Sequence, residues 1–175
     1  MIFLETQLFG LIILFFAYLV PMYCANATPI LMHGAKPLDF EKRFRGKRVL
    51  GNGKTILGTL AGIIGGTIAG TIFMFVFPFV LQLIPNYFAL AFALAVGAIM
   101  GDTVKSFFKR RLGFERGQKW LIADQLDFVI GGFLISLIIR APEWQIVVTL
   151  LVVTAFIHLA TNFAAYKLGL KKVPW

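Results

Sequence analysis

The sequence predicts an all-α integral membrane protein of about five transmembrane helices, with its amino terminus outside and its carboxyl terminus in the cytoplasm. Apolar residues make up 59% of its 175 residues and the mean hydropathy is +0.84. A soluble domain, roughly half apolar in composition, could not hide that much apolar surface. Charged residues are only 14% of the chain, yet the formal net charge is +9, so the cations must be gathered in a few places rather than spread over a wetted exterior. They are: 16 of the 17 lysines and arginines fall in two polar loops and a tail. The single cysteine, Cys24, excludes an internal disulfide and a cysteine-built metal cluster, and its apolar neighbours mark it as packing.

A bilayer core requires about 20 largely apolar residues in helical form, and five stretches approach that length: 6–25, 55–83, 86–100, 126–139 and 144–166. The first lacks the basic flank of a secretory signal, its only preceding charge being Glu5, and reads as a retained helix. The second carries Gly58, Gly62, Gly66 and Gly70, three consecutive G-x-x-x-G steps on one face. Such a stripe lets another helix backbone come close, within the chain or across a homodimer. Pro85-Asn86 turns the chain into the third stretch. The third and fourth are short, so their ends include flanking polar residues or lie within protein. Ala141-Pro142-Glu143 turns into the fifth, whose Thr154, His158 and Asn162 form a polar stripe suited to bonding between helices.

The polar segments that remain are loops 33–54 and 101–125 and the tail from Lys167, with 7, 6 and 3 lysines and arginines; the exception is Arg140. Five spans put all three segments on one side, and the positive-inside rule makes that side cytoplasmic. Topology alone therefore accounts for much of the basic charge. Nucleic-acid binding is excluded as a leading class, since no soluble domain exists to present a groove-reading element.

The second loop holds the residues most suited to chemistry. If the third helix continues into it, Asp102, Ser106, Lys109 and Arg110 fall at i, i+4, i+7 and i+8 on one face, with Lys105 beside them. Asp124 and Asp127 share a face at the start of the fourth helix. Three carboxylates at the two ends of one loop, with lysines and arginines between, suit a metal-bound polyphosphate. Hard oxygens hold Mg²⁺, the metal neutralises phosphate oxygens and the cations take the rest. The plainer alternative is a set of interfacial salt bridges.

The first loop adds Arg43, Arg45, Lys47 and Arg48, then Gly51-Asn52-Gly53-Lys54-Thr55 where the second helix begins. A Walker A loop would need glycine at position 48, which is arginine, and a preceding strand. Glycines at a helix start can still present backbone N–H groups to phosphate, with Lys54 adding charge. His33 and His158 have no partner at metal-ligand spacing, so neither zinc nor a nucleophilic triad is supported. Asn26, near the cytoplasmic end of the first helix, can serve the site, although helix termination before Pro29 explains it equally well.

Gly101-Asp102, Lys105-Ser106, Lys109-Arg110 and Asp124-Gln125-Leu126-Asp127 together resemble the signature of membrane CTP-dependent cytidylyltransferases. Bacterial phosphatidate enzymes carry a Pro-Gly-His-Gly-Gly segment and then Asp-Arg-x-x-Asp or Asp-Arg-x-Asp; here Trp120 to Ala123 and Gln125 stand in their places. The archaeal branch, CDP-archaeol synthase, is the closer likeness. It is carried further by Ala25-Asn26 with Pro29, by Pro37-Leu38-Asp39, by Arg48 to Thr55 with Gly58, and by the ending Lys171-Lys172-Val173-Pro174-Trp175.

The resemblance covers nearly all 175 residues and implies a single transmembrane catalytic domain at the cytoplasmic face of the cell membrane. The implied activity is CMP transfer from CTP to an unsaturated archaeal ether lipid phosphate, with Mg²⁺ as cofactor and pyrophosphate as leaving group. In that reading Asp102, Asp124 and Asp127 hold the metal, and Lys105, Lys109 and Arg110 hold phosphates. Arg48 and Lys54, with Asn26, Gly51, Gly53, Thr55 and Ser106, line the substrates. The prenyl chains lie between helices, along a path that the glycine face of the second helix helps to shape. The alternative class is a small transporter or channel whose basic loops only set topology, and it expects its working polar residues near the bilayer midplane.

Overall fold

A computed structural model describes residues 2–32, 36–115 and 118–169. His33 and the ending Lys171 to Trp175 lie outside the described residues, as does the side chain of Asn162. Helix α1 (Ile2–Ala27) runs into a single 3-10 turn (Thr28–Leu31), followed by a two-stranded hairpin, β1 (Arg43–Phe44) and β2 (Lys47–Arg48). Then come α2 (Ile56–Val76), α3 (Val80–Leu83), α4 (Tyr87–Arg111), α5 (Ala123–Ser136) and α6 (Trp144–Lys167). The third apolar stretch does not stop at Met100. It runs on as α4 for three further turns into the basic segment. The second stretch is cut at Pro78, so α2 ends at Val76 and α3 is a separate turn.

Among the described residues three helices are long and apolar enough to cross a bilayer: Gln7–Leu31, Ile56–Val76 and Tyr87–Arg111. Trp144–Ala160 is a shorter apolar helix, and α5 has only 14 residues, about 21 Å at 1.5 Å each. A core of Tyr18, Met22, Leu90, Leu94 and Phe128 is buried between α1, α4 and α5. The opposite face of α2, with Leu57, Leu60, Ile64, Ile68 and Ile72, is exposed at helical spacing, as a lipid-facing stripe should be.

The glycine stripe does intramolecular work. Gly58, Gly62, Gly66 and Gly70 are all buried, and a Cβ on Gly66 would sit 2.6 Å from the Pro21 carbonyl oxygen and 2.8 Å from Ala95 Cβ. That face is filled by α1 and α4, so it shapes no path for lipid chains, contrary to the expectation from sequence.

Pro21 itself, inside α1, has no N–H to give the Ala17 carbonyl, and the Tyr87 hydroxyl donates to that oxygen instead at 2.8 Å. An orphaned carbonyl in an apolar core is thereby satisfied from a neighbouring helix. Arg140, the cation outside the basic segments, has a local task at the other end of the bundle. Its guanidinium donates to the Leu83 carbonyl and pairs with Glu143, tying the α3 turn to the start of α6.

Candidate active site

Helices α4 and α5 cross on glycine. A Cβ on Gly101 would lie 2.1 Å from the Asp127 carbonyl oxygen, and one on Gly131 would lie 2.7 Å from Gly101 Cα. Backbones this close bring the first turns of α5 directly against the last turns of α4. The carboxylates of Asp124 and Asp127 therefore meet the lysines of α4. Lys105 Nζ stands 3.1 Å from Asp102 Oδ1, 3.1 Å from Asp124 Oδ1 and 2.7 Å from Asp127 Oδ2. Lys109, 8% exposed, donates to both Asp124 oxygens at 3.0 and 2.9 Å and to the Gln118 carbonyl. The Trp120 amide also donates to Asp124, at 2.8 Å, and the Phe114 and Trp120 rings stack at 5.5 Å over this loop.

The first loop does fold over the site. Leu38 N–H donates to the Lys54 carbonyl and Ile56 N–H to that of Lys36, closing the base of the loop, and Lys54 Nζ pairs with the other oxygen of Asp102. Three ammonium groups and three carboxylates from three segments thus form one network of zero formal charge. Arg111 locks the hairpin to α4 by donating to the carbonyls of Phe44, Lys47 and Arg48, its guanidinium lying over the Phe44 and Phe107 rings.

Some expected ligands have other occupations. Arg48 faces Asp39, whose carboxylate accepts two bonds from its guanidinium, at 2.7 and 3.2 Å, and one each from the Glu41, Leu50 and Gly51 amides. The Gly51 N–H is therefore aimed at Asp39 and not at a phosphate. Thr55 caps α2, accepting from Gly58 N–H at 3.0 Å, and the Ser106 hydroxyl donates back to the Asp102 carbonyl within its own helix. Asn26 is half-buried on the last turn of α1, and Gly53 sits in the turn before Lys54. Arg110 reaches none of the carboxylates. It lines a groove of about 480 Å³ with Arg43, Gly46, Lys47 and Arg48 of the hairpin. Thr154 accepts a bond from Tyr23 at 2.9 Å, the interhelical role that its place in the stripe suggests.

Asp39 is the residue sequence reasoning undervalued. The Arg48 guanidinium beside it, with the three amides, holds its carboxyl well below the ordinary 3.8 against the opposing effect of burial. A depressed folded-state value means that its contribution to the loop is complete above the ordinary carboxylate range and is lost as pH falls through the lower folded value. Limited proteolysis between residues 40 and 50 should therefore be slow at neutral pH and accelerate only under strong acidification. Asp39→Asn, forfeiting about 2 kcal/mol of charge-assisted bonding, should be cut readily at pH 7. Equal resistance of the two proteins at pH 7 would show that the cradle does not hold the loop.

The chemistry of the donor set fits a divalent cation. Three carboxylates converge on one point, and Asp127 Oδ2, on a side chain only 6% exposed, accepts no aligned hydrogen bond. Among the described residues no group of three or more His, Cys, Asp and Glu stands at ready-made ligand spacing. The spacing here is set by the ammonium that the three carboxylates share.

Beside the network, α4 and α5 enclose a lateral groove of about 390 Å³ lined by Met100, Val104, Phe108, Leu126, Ile130 and Leu134, with Lys105 and Asp127 among its few polar groups.

A family model described as CarS-like, CDP-archaeol synthase, matches residues 8–175. A CDP-archaeol synthase of Methanocella arvoryzae is 47% identical over 176 residues, covering 90% of this chain and 100% of the relative. One of Methanospirillum hungatei JF-1 is 39% identical over 167 residues, with the same coverage. A solved structure described as an intramembrane enzyme for archaeal membrane lipids biosynthesis superposes with a TM-score of 0.75 at 36% identity, over 84% of this chain and 91% of that one.

Proposed function

The chain belongs to the CDP-archaeol synthase family, and from that premise we propose that it transfers CMP from CTP to 2,3-bis-O-geranylgeranylglycerol 1-phosphate, forming CDP-archaeol and pyrophosphate. The observation that carries this reading is the lateral groove, an apolar trough that meets Lys105 and Asp127. A lipid phosphate matches it, with prenyl chains along Val104, Ile130 and Leu134 and its head at the ammonium. CTP takes the cationic groove between hairpin and α4, where Arg43, Lys47 and Arg110 face a polyphosphate.

The lipid phosphate is already an anion, so attack on the α-phosphorus needs no protein nucleophile, and the protein's tasks are alignment and neutralisation. Asp102, Asp124 and Asp127 are the residues that hold Mg²⁺, which when bound neutralises phosphate oxygens. Lys105 lies where the groove meets the carboxylates and takes the attacking phosphate. Lys54 reaches from the other loop toward the nucleotide. Lys109, committed to Asp124 and the Gln118 carbonyl, serves by holding the α4–α5 loop in place. The five-span topology, with α5 and α6 as the fourth and fifth crossings, puts this end of the bundle in the cytoplasm, where CTP is supplied; the 16 to 1 division of lysines and arginines supports it.

Purified protein incubated with labelled CTP, the lipid phosphate and Mg²⁺ should yield a labelled lipid and pyrophosphate, and excess EDTA should abolish both. Absence of lipid labelling from well-folded protein, or full turnover in EDTA, would overturn the proposal.

A further inference from the structure

We propose that Lys105 is a built-in counterion that competes with the divalent cation for the three carboxylates, so that metal enters only in company with the nucleotide's phosphates. This rests on the cytidylyl-transfer reading above. The carboxylate oxygens nearest Lys105 Nζ, one from each aspartate, lie within 3.1 Å of it. A Mg²⁺ ion bound by the same oxygens needs them at about 2.1 Å. The ion and the ammonium cannot share that point.

Charge argues the same way. Asp102, Asp124 and Asp127 are matched by Lys54, Lys105 and Lys109, so the site has no net negative charge with which to draw in a free dication. Adding Mg²⁺ alone leaves two positive charges uncompensated in a partly buried place, whereas a triphosphate arriving with it supplies the missing negative charge. The three lysines are not equivalent. Lys109 is fixed by the Gln118 carbonyl as well as by Asp124, and Lys54 pairs with the Asp102 oxygen that Lys105 leaves. Among the described residues Asp127 has no cation but Lys105. Lys105 also lines the lateral groove, so it has a phosphate to turn to when the metal takes the carboxylates.

Binding of Mn²⁺ to the detergent-solubilised protein, followed by electron paramagnetic resonance without lipid phosphate, tests the proposal. The wild type should take up Mn²⁺ only when CTP is added. Lys105→Gln should bind Mn²⁺ alone at least tenfold more tightly than the wild type, and Lys105→Arg, which restores the charge, should behave like the wild type. Mn²⁺ binding by the wild type alone as tightly as by Lys105→Gln overturns the counterion role and leaves the metal assignment standing. If no Mn²⁺ binds to either protein even with CTP, the metal reading itself fails. Should Lys105→Gln not fold, the wild type decides by itself: saturable uptake equal with and without CTP overturns the proposal, and CTP-dependent uptake supports it.

Discussion

Asp127→Asn is expected to lower kcat by on the order of a hundredfold or more while leaving KM for CTP within a few-fold, because it removes charge from the reacting centre and little from the binding grooves. The substitution keeps the shape of a side chain only 6% exposed and can preserve the bond from the Phe128 amide to Oδ1. What it removes is the one carboxylate of the three whose sole cation among the described residues is Lys105, leaving the network one positive charge in excess. Asp39→Asn should behave in the opposite manner: its loss falls on the nucleotide-side loop, so binding should weaken more than kcat. Steady-state kinetics on both variants, with each substrate varied and helical content checked by circular dichroism, separate the two. An Asp127→Asn enzyme with at least a tenth of wild-type kcat would remove this residue from the reacting centre.

The second large effect is expected at Gly101. A methyl group there meets the backbone of Asp127 at 2.1 Å, with no flexible side chain to give way, so Gly101→Ala must push α5 away from α4. Overpacking of this kind costs about 1–3 kcal/mol. The larger consequence is for catalysis: a displacement near 1 Å separates Lys105 from Asp124 and Asp127, and such a misplacement costs about a hundredfold in rate. Gly10→Ala, at a position where a Cβ meets nothing within 4 Å, is the control. Thermal unfolding in detergent together with turnover checks the pair. If Gly101→Ala matches Gly10→Ala in both, the crossing is looser than its backbone distances indicate.

These residues also show what could be read from the sequence. The carboxylate and lysine set was legible because helical spacing put Asp102, Lys105 and Lys109 along one side of a continuing helix, and the return of Asp124 and Asp127 marked the next helix start. That Lys54 joins them depends on one condition, that the first loop fold over the site. The condition is met through pairings of Leu38 with Lys54 and of Lys36 with Ile56, which carry no side-chain signal. The contact between Gly101 and Gly131 was not legible because it joins helices thirty residues apart, whereas the stripe at 58, 62, 66 and 70 announces itself within one helix. Asp39 was noted only as part of a matching segment, and its role was not legible because its partners are gathered by a tight turn, in which Arg45 and Gly46 both take positive φ, 50° and 77°. The available hint was a carboxylate followed closely by a run of cations, with Arg-Gly at the centre of a two-residue turn.

The Arg111 clamp has a consequence for the cost of binding. A basic loop on a mobile tether would have to be ordered by each arriving nucleotide, at about 1–2 kcal/mol for every residue whose backbone is fixed. Here one guanidinium, lying over the Phe44 and Phe107 rings, takes three carbonyls of the hairpin and makes it an extension of α4. That ordering is completed during folding, so the cationic surface of the hairpin and the carboxylates form a single preorganised body. A lysine at this position would keep the charge but lacks the planar fork that reaches three carbonyls at once.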